Sequence, residues 1–200
     1  MNPFVELAKK AVETFIKTGK KIEPIAPVPA EMKKRAGVFV SIYKKGNVVT
    51  TPRNLSPVIQ EPSPEQLSDG VLRPQTQPQL RGCIGTYLPT KKNIAEEIIF
   101  NAIAAATADP RFPPVSEEEL SQLTYSVDIL STPKEVKSVA ELNPQKYGII
   151  LVQGGKRGLL LPKLPGIEAV EQQIKITALK AGIDLTQPLK IYRFTTVRER

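Results

Sequence analysis

The stretch LRGCIGT, Leu80 to Thr86, holds the only cysteine of the chain, with Arg81 two residues before it and Gly82 and Gly85 around it. The thiolate is the nucleophilic form of cysteine, and a neighbouring guanidinium favours it by lowering the thiol pKa. On a strand, successive side chains point to opposite faces. Arg81, Cys83 and Gly85 would then share one face, and Leu80, Gly82 and Ile84 the other. The pattern makes Cys83 and Arg81 candidate catalytic residues, a soft nucleophile beside a cation. Glycines inside a strand often mark the close approach of a ligand or of another backbone. The competing reading is a small packed side chain, since free cysteine is among the most buried residue types. Spacing leaves both readings open.

A second constellation is DPRFPPV, Asp109 to Val115. Pro110 and the Pro113–Pro114 pair stop a helix and impose an extended turn. Asp109 and Arg111 then stand as polar groups at the rim of a cleft, with Phe112 beside them or plugging the core. Together with Gly82, Gly85 and Thr86 they complete the candidate ligand cleft. The chain contains no histidine. That absence excludes nucleophile arrangements whose base is an imidazole, and histidine-bearing zinc sites; one cysteine cannot make a thiolate cluster. No cofactor and no metal are expected. Gly154-Gly155-Lys156-Arg157 lacks the spacing of a phosphate loop and reads as a hairpin tip.

The elements that must position these residues are legible in outline. Asn2-Pro3 caps a helix whose apolar positions Val5, Ala8, Val12 and Phe15/Ile16 repeat at helical spacing, and Gly19 ends it. Pro24, Pro27 and Pro29 impose an extended segment before a short helical turn. GVFVSIY alternates and predicts a strand. From Gly46 to Gln79 frequent prolines and few large apolar residues predict a long insertion between two strands, with a helical turn at Ser63-Pro64-Glu65. LRGCIGTYLP resumes as a strand. Asn93 with Glu96 opens a helix buried along Ile94, Ile98, Ala102, Ala105 and Ala106. Ser116 to Glu119 reads as the capping box of a short helix, and LTYSVDIL as a strand. YGIILVQ and RGLLLP form a hairpin. Ile167, Val170, Ile174 and Ala178 mark a last helix ending at Ala181-Gly182, and LKIYRFTTV is one final strand. Strands and helices do not alternate regularly, which predicts an antiparallel α+β fold.

At 200 residues the chain suits one domain, residues 1–200, with the proline-rich insertion 46–79 inside it. No apolar run reaches the roughly 20 residues that span a bilayer, so no membrane partner is expected. The start of the chain has no signal-peptide pattern, and the expected compartment is the cytoplasm. The formal net charge of +8 favours anionic partners, RNA among them. An RNA-binding reading would use the basic first segment, Arg81 and Arg111.

In their order, GVFVSI, LRGCIGTYLP, AAATADPRFPPVSEEEL, YSVDILSTP, YGIILVQGGKRGLLLP and KIYRFT resemble the AMMECR-domain family over about Phe4 to Thr195. The resemblance implies an α+β fold. A large antiparallel-sheet subdomain is made from both chain ends, and LRGCIG lies at a cleft between it and a smaller subdomain. Its hallmark positions fall here on Leu80 to Gly85 and on Asp109, Arg111, Phe112, Pro113 and Pro114. In bacteria and archaea such proteins resemble the first component of a system with Memo-like and radical-SAM proteins. The resemblance therefore implies an accessory component working with those partners. The alternatives are a cysteine-dependent enzyme using Cys83 assisted by Arg81, and an RNA- or polyanion-binding protein. Many relatives carry a cysteine in the last helix where Ala178 stands here.

Overall fold

A computed structural model describes residues 2–24, 26–45 and 78–200. The predicted insertion, with its turn at Ser63-Pro64-Glu65, falls outside the described residues except for its last two positions. The helices are α1 (Pro3–Thr18), α2 (Ile94–Thr107) and α3 (Val170–Ala181). The strands are β1 (Val38–Lys44), β2 (Gln79–Thr86), β3 (Leu123–Leu130), β4 (Lys134–Glu135), β5 (Gly148–Gln153), β6 (Lys156–Leu160), β7 (Lys190–Phe194) and β8 (Thr196–Glu199). The architecture is α+β, with two antiparallel sheets ordered β2-β1-β3-β8 and β4-β7-β5-β6.

The chain divides into two compact units. Among the described residues, the first holds those up to 45, 78–130 and 197–200, and the second holds 131–196. In the first, α1 begins where the sequence places it. The Phe4 N–H donates to Asn2 Oδ1 at 2.9 Å, Pro3 occupies the first turn, and Gly19 closes the end in a left-handed conformation. Its buried face is Phe4, Val5, Leu7, Ala8, Ala11 and Val12. α2 is opened by the Asn93 carboxamide, which accepts the Glu96 N–H at 2.9 Å. The predicted stripe Ile94, Ile98, Ala102, Ala105 and Ala106 is fully buried, and Phe100 is the one large apolar side chain of α2 left exposed. These helices pack on Val38, Val40 and Ile42 of β1 and on Tyr125 and Val127 of β3, forming one apolar core.

In the second unit, β5, β6 and α3 enclose a separate core of Ile149, Leu151, Leu160, Ala178 and Ile183. The hairpin at Gly154-Gly155 is present, with Gln153 paired to Lys156. α3 starts at Val170, so Ile167 precedes the helix and packs against the core from the loop. The predicted final strand is two. β7 belongs to the second sheet and β8 to the first, with Thr195 between them. Thr195 leaves the β ladder because its backbone bonds to Ser131. The Ser131 N–H donates to the Thr195 carbonyl at 2.9 Å, and the Thr195 N–H donates to Ser131 Oγ at 3.0 Å. The capping box at Ser116 starts a 3-10 helix, Glu117–Gln122, rather than an α-helix. Among the described residues no helix is long and apolar enough to cross a membrane.

Candidate functional site

β1 is the middle of three strands that carry the site. Val38, Val40 and Ile42 point to the helices, so Phe39, Ser41 and Tyr43 point the other way. Pairing places Ser41 opposite Cys83 on β2 and opposite Ser126 on β3. The result is a straight cross-strand row, Cys83–Ser41–Ser126, on the face away from α2. One step along, Phe39 lies opposite Gly85 on one side and Asp128 on the other. Asp128 is fully buried. It accepts from Arg198 of β8 through both oxygens, at 2.8 and 3.0 Å.

The thiol sits in a defined polar setting. Ser41 Oγ donates to Cys83 Sγ at 3.2 Å, and the Cys83 N–H donates to Asp109 Oδ2 at 2.8 Å. Burial pushes the Cys83 thiol above its ordinary value. The Ser41 hydroxyl and the Arg111 guanidinium pull back only in part, and Asp128 and Asp109 push the same way as burial. A raised thiol is the protonated, weakly nucleophilic form at neutral pH. Ser126 closes the row with a hydroxyl that is buried and has no hydrogen-bond partner among the described residues.

Arg81 does not assist Cys83. The β1–β2 register runs from Ile42–Gly82 directly to Tyr43–Leu80, so Arg81 is the extra residue of a bulge. Bulges re-aim a side chain, and this one points Arg81 at Glu119. Arg81 Nε and Nη2 donate to the two Glu119 oxygens at 2.9 Å each, while Nη1 donates to the Pro113 carbonyl at 2.9 Å and Nη2 to that of Pro114 at 3.2 Å. This bidentate pair holds the Glu119 carboxyl down at about 2, with the Ser116 N–H and Lys44 helping. The cation that pulls the thiol down is Arg111. It donates to both oxygens of the buried Asp109, at 3.0 Å from Nε and 2.7 Å from Nη2, and to the Cys83 carbonyl at 3.4 Å. Arg111 holds the Asp109 carboxyl at about 2 against the opposing effect of burial.

The glycines answer to packing. Gly82 faces α2, where a Cβ would overlap the Ala105 carbonyl, so it lies on the opposite face from Cys83. The space a Cβ would need at Gly85 is filled by the Phe39 ring. Thr86 donates its hydroxyl to the buried Glu97 at 2.7 Å, and that carboxylate also binds the backbone of Thr90 and Lys91. Phe112 is half-buried and stacks under Arg111, with 5.3 Å from guanidinium carbon to ring centroid. The two motifs thus interlock: DPRFPPV supplies the carboxylate and carbonyls that hold LRGCIG. Cys83, Asp109 and Arg111 come together, while Arg81, Gly82 and Thr86 are turned to other tasks. Ser41, Ser126, Asp128, Arg198 and Glu119 complete the setting. The polar members of two alternating strands, GVFVSIY and LTYSVDIL, signal the first three. Among the described residues no cluster of carboxylate and cysteine side chains could hold a metal ion.

The chain matches the family model described as AMMECR1 over residues 5–198. It is 46% identical to a protein of Thermotoga maritima over 199 residues, which is 98% of this chain and 97% of that protein. It is 39% identical to a protein of Clostridium acetobutylicum over all of this chain, which spans only 36% of that longer protein. Among solved structures, the uncharacterized protein PH0010 from Pyrococcus horikoshii superposes with a TM-score of 0.76 at 32% identity, covering 98% of this chain and 88% of that one.

Proposed function

The chain belongs to the AMMECR1 family, and from that premise we propose that it acts as a non-catalytic, accessory component working with Memo-like and radical-SAM partners. Its working site is the cleft around LRGCIG, where Cys83 is half-buried over the buried hydroxyls of Ser41 and Ser126. The observation that carries this reading is the state of the motif. The thiol is raised by burial, Arg81 is committed to Glu119, and each oxygen of Asp109 already accepts hydrogen bonds. A nucleophile would need a proton acceptor, and histidine is absent from the chain. The LRGCIG motif then serves to build a rigid face, and its cysteine contributes shape and a neutral S–H.

The test is the alkylation rate of Cys83 against pH, paired with complex formation with a Memo-like protein followed by light scattering. The expected result is slow alkylation with a midpoint above the free-thiol value of ~8.5, and a complex that Cys83→Ala forms as tightly as the natural chain. Fast alkylation at neutral pH would overturn the inert thiol, and absence of any complex would overturn the accessory role. One feature favours the second reading, a cysteine-dependent enzyme. Cys83 is only half-buried, with a hydroxyl and a guanidinium beside it. Fast alkylation would move the assignment there.

A further inference from the structure

Apart from the Cys83 face, a group of basic side chains gathers around the start of α2 and Phe100. Five contacts tie separate stretches together there. The Ile94 N–H donates to the Lys34 carbonyl at 3.0 Å, which fixes the basic segment against the start of α2. Arg35 reaches the carbonyls of Lys91 and Pro89 at 3.2 and 3.3 Å. The Lys91 ammonium lies 3.8 Å from the centroid of Phe100, and that of Lys21 lies 6.0 Å from it. Lys92 is the exposed neighbour of Lys91.

These cations differ from Arg81, Arg111 and Arg198 of the first unit. Arg81, Arg111 and Arg198 are each neutralised by a carboxylate. Lys21, Lys34, Arg35, Lys91 and Lys92 make no ion pair among the described residues. Arg35 is held by neutral carbonyls, which fix its place and leave its charge uncancelled. The nearby Glu96, partly exposed, accepts from the Lys92 N–H and the Asn93 side chain, and Glu97 is buried. Glu23 and Glu31 are the exposed carboxylates of the basic segment.

Phe100 adds a second, different signal. It lies on an otherwise buried helix and is 42% exposed even with the Lys91 ammonium on it. An aromatic ring kept open among unpaired cations matches the chemistry of a single strand: phosphates for the lysines and a free base face for the ring. Duplex bases are stacked and out of reach of such a ring. A lipid surface would call for several inserted apolar side chains, where the turn before α2 and α2 itself expose two large ones, Leu88 and Phe100.

We propose that Lys21, Lys34, Arg35, Lys91, Lys92 and Phe100 form a binding surface for single-stranded nucleic acid, with phosphates on the cations and one base stacked on Phe100. The surface is independent of the Cys83 face. Of the residues that the sequence offered to RNA, the basic first segment keeps this role through Lys21, Lys34 and Arg35, and Arg81 and Arg111 give way to Lys91 and Lys92 of the turn before α2.

The experiment is fluorescence anisotropy of the full chain with short fluorescein-labelled oligouridylate and oligothymidylate, between about 50 and 200 mM salt. Affinity is expected to fall steeply with salt, with a logarithmic slope of roughly 0.7 for each phosphate neutralised. Phe100→Ala should weaken binding about 5-fold or more while leaving the salt slope unchanged. Lys34→Gln and Lys91→Gln should each lower the slope by roughly 0.7, and Lys175→Gln on α3 should change nothing. A preference for one oligonucleotide names RNA or DNA as the natural strand and supports the proposal. Three results would overturn it: no salt-dependent binding, a duplex bound as tightly as the single strand with Phe100→Ala silent, or binding only to phosphatidylserine-containing vesicles.

Discussion

The two sheets are built by the same device and finished differently. In the first, Gly82 lets α2 come so close that its Ala105 carbonyl occupies the place of a Cβ. In the second, Gly158 does the same for α3, where a Cβ would stand 2.6 Å from the Thr177 carbonyl and 2.9 Å from the Ala181 methyl. On the faces away from the helices the likeness ends. The middle row of the first sheet is Cys83–Ser41–Ser126, and the equivalent row of the second is Leu159–Ile150–Tyr192. Glycine at a helix contact is therefore a packing requirement common to both units. The chemistry that sets one sheet apart lies in three small polar side chains and the ion pairs around them.

Breaking those ion pairs should give the largest effect. Arg81→Ala strands Glu119 and two prolyl carbonyls at a site where both side chains are mostly buried. Loss of one partner of such a pair costs about 3–5 kcal/mol, which corresponds to a fall in Tm of roughly 6–20 °C for a chain of this size. Thermal unfolding followed by circular dichroism measures it. A fall of a degree or two would mean that the motif arginine is dispensable for the fold.

Next come the two glycines. Gly82→Ala and Gly158→Ala should both destabilise, by about 1–3 kcal/mol as for other overpacked sites. Gly82 should be the worse, because the obstacle is helix backbone at closer range. Equal urea midpoints for the two variants would remove the ranking.

Acid should weaken the first unit in a defined window. Asp109 and Glu119 titrate at about 2 in the folded chain and at ~3.9 and ~4.3 when unfolded. Between those values the unfolded chain holds more protons, so stability rises with pH there. The contribution is complete above about pH 5 and lost as pH falls through about 2. Urea unfolding against pH should show this slope, and Glu119→Gln with Asp109→Asn should flatten it.

The smallest effects belong to the row itself. The Ser126 hydroxyl has no partner among the described residues, so Ser126→Ala should leave stability unchanged or raise it by up to about 1 kcal/mol. A marked loss would show that this hydroxyl is structurally required. Ser41→Ala removes the hydrogen bond that favours the thiolate. The midpoint of Cys83 alkylation should then move upward, and Arg111→Ala should move it the same way. A downward shift in either variant would contradict the electrostatics of the site.

Local signals were reliable where one physical rule decides. The caps at Asn2, Gly19 and Asn93 and the alternation of β1 and β3 are all read from residue types alone. The sequence also placed Cys83 near Asp109 and Arg111 through family resemblance. It failed at Arg81, because strict alternation assumes an unbroken strand, and one extra residue between Gly82 and Leu80 turns the side chain away. Glu119 was visible as a capping residue, but a capping pattern carries no signal that the same carboxylate will take a distant arginine. The split of LKIYRFTTV failed for a similar reason. Thr195 is taken out of the ladder by Ser131, a partner 64 residues away, and alternation within the segment gives no sign of it.

That splice at Ser131 and Thr195 has a consequence for how the chain is made. β8 emerges from the ribosome only after the entire second unit, yet it is the strand whose Arg198 neutralises Asp128, 70 residues upstream. Among the described residues the second unit is one continuous stretch, 131–196, and has all its described strands in hand while the first still lacks an edge. Synthesis therefore completes the molecule out of order: the unit begun first is finished last, and a buried carboxylate waits unpaired until its partner arrives.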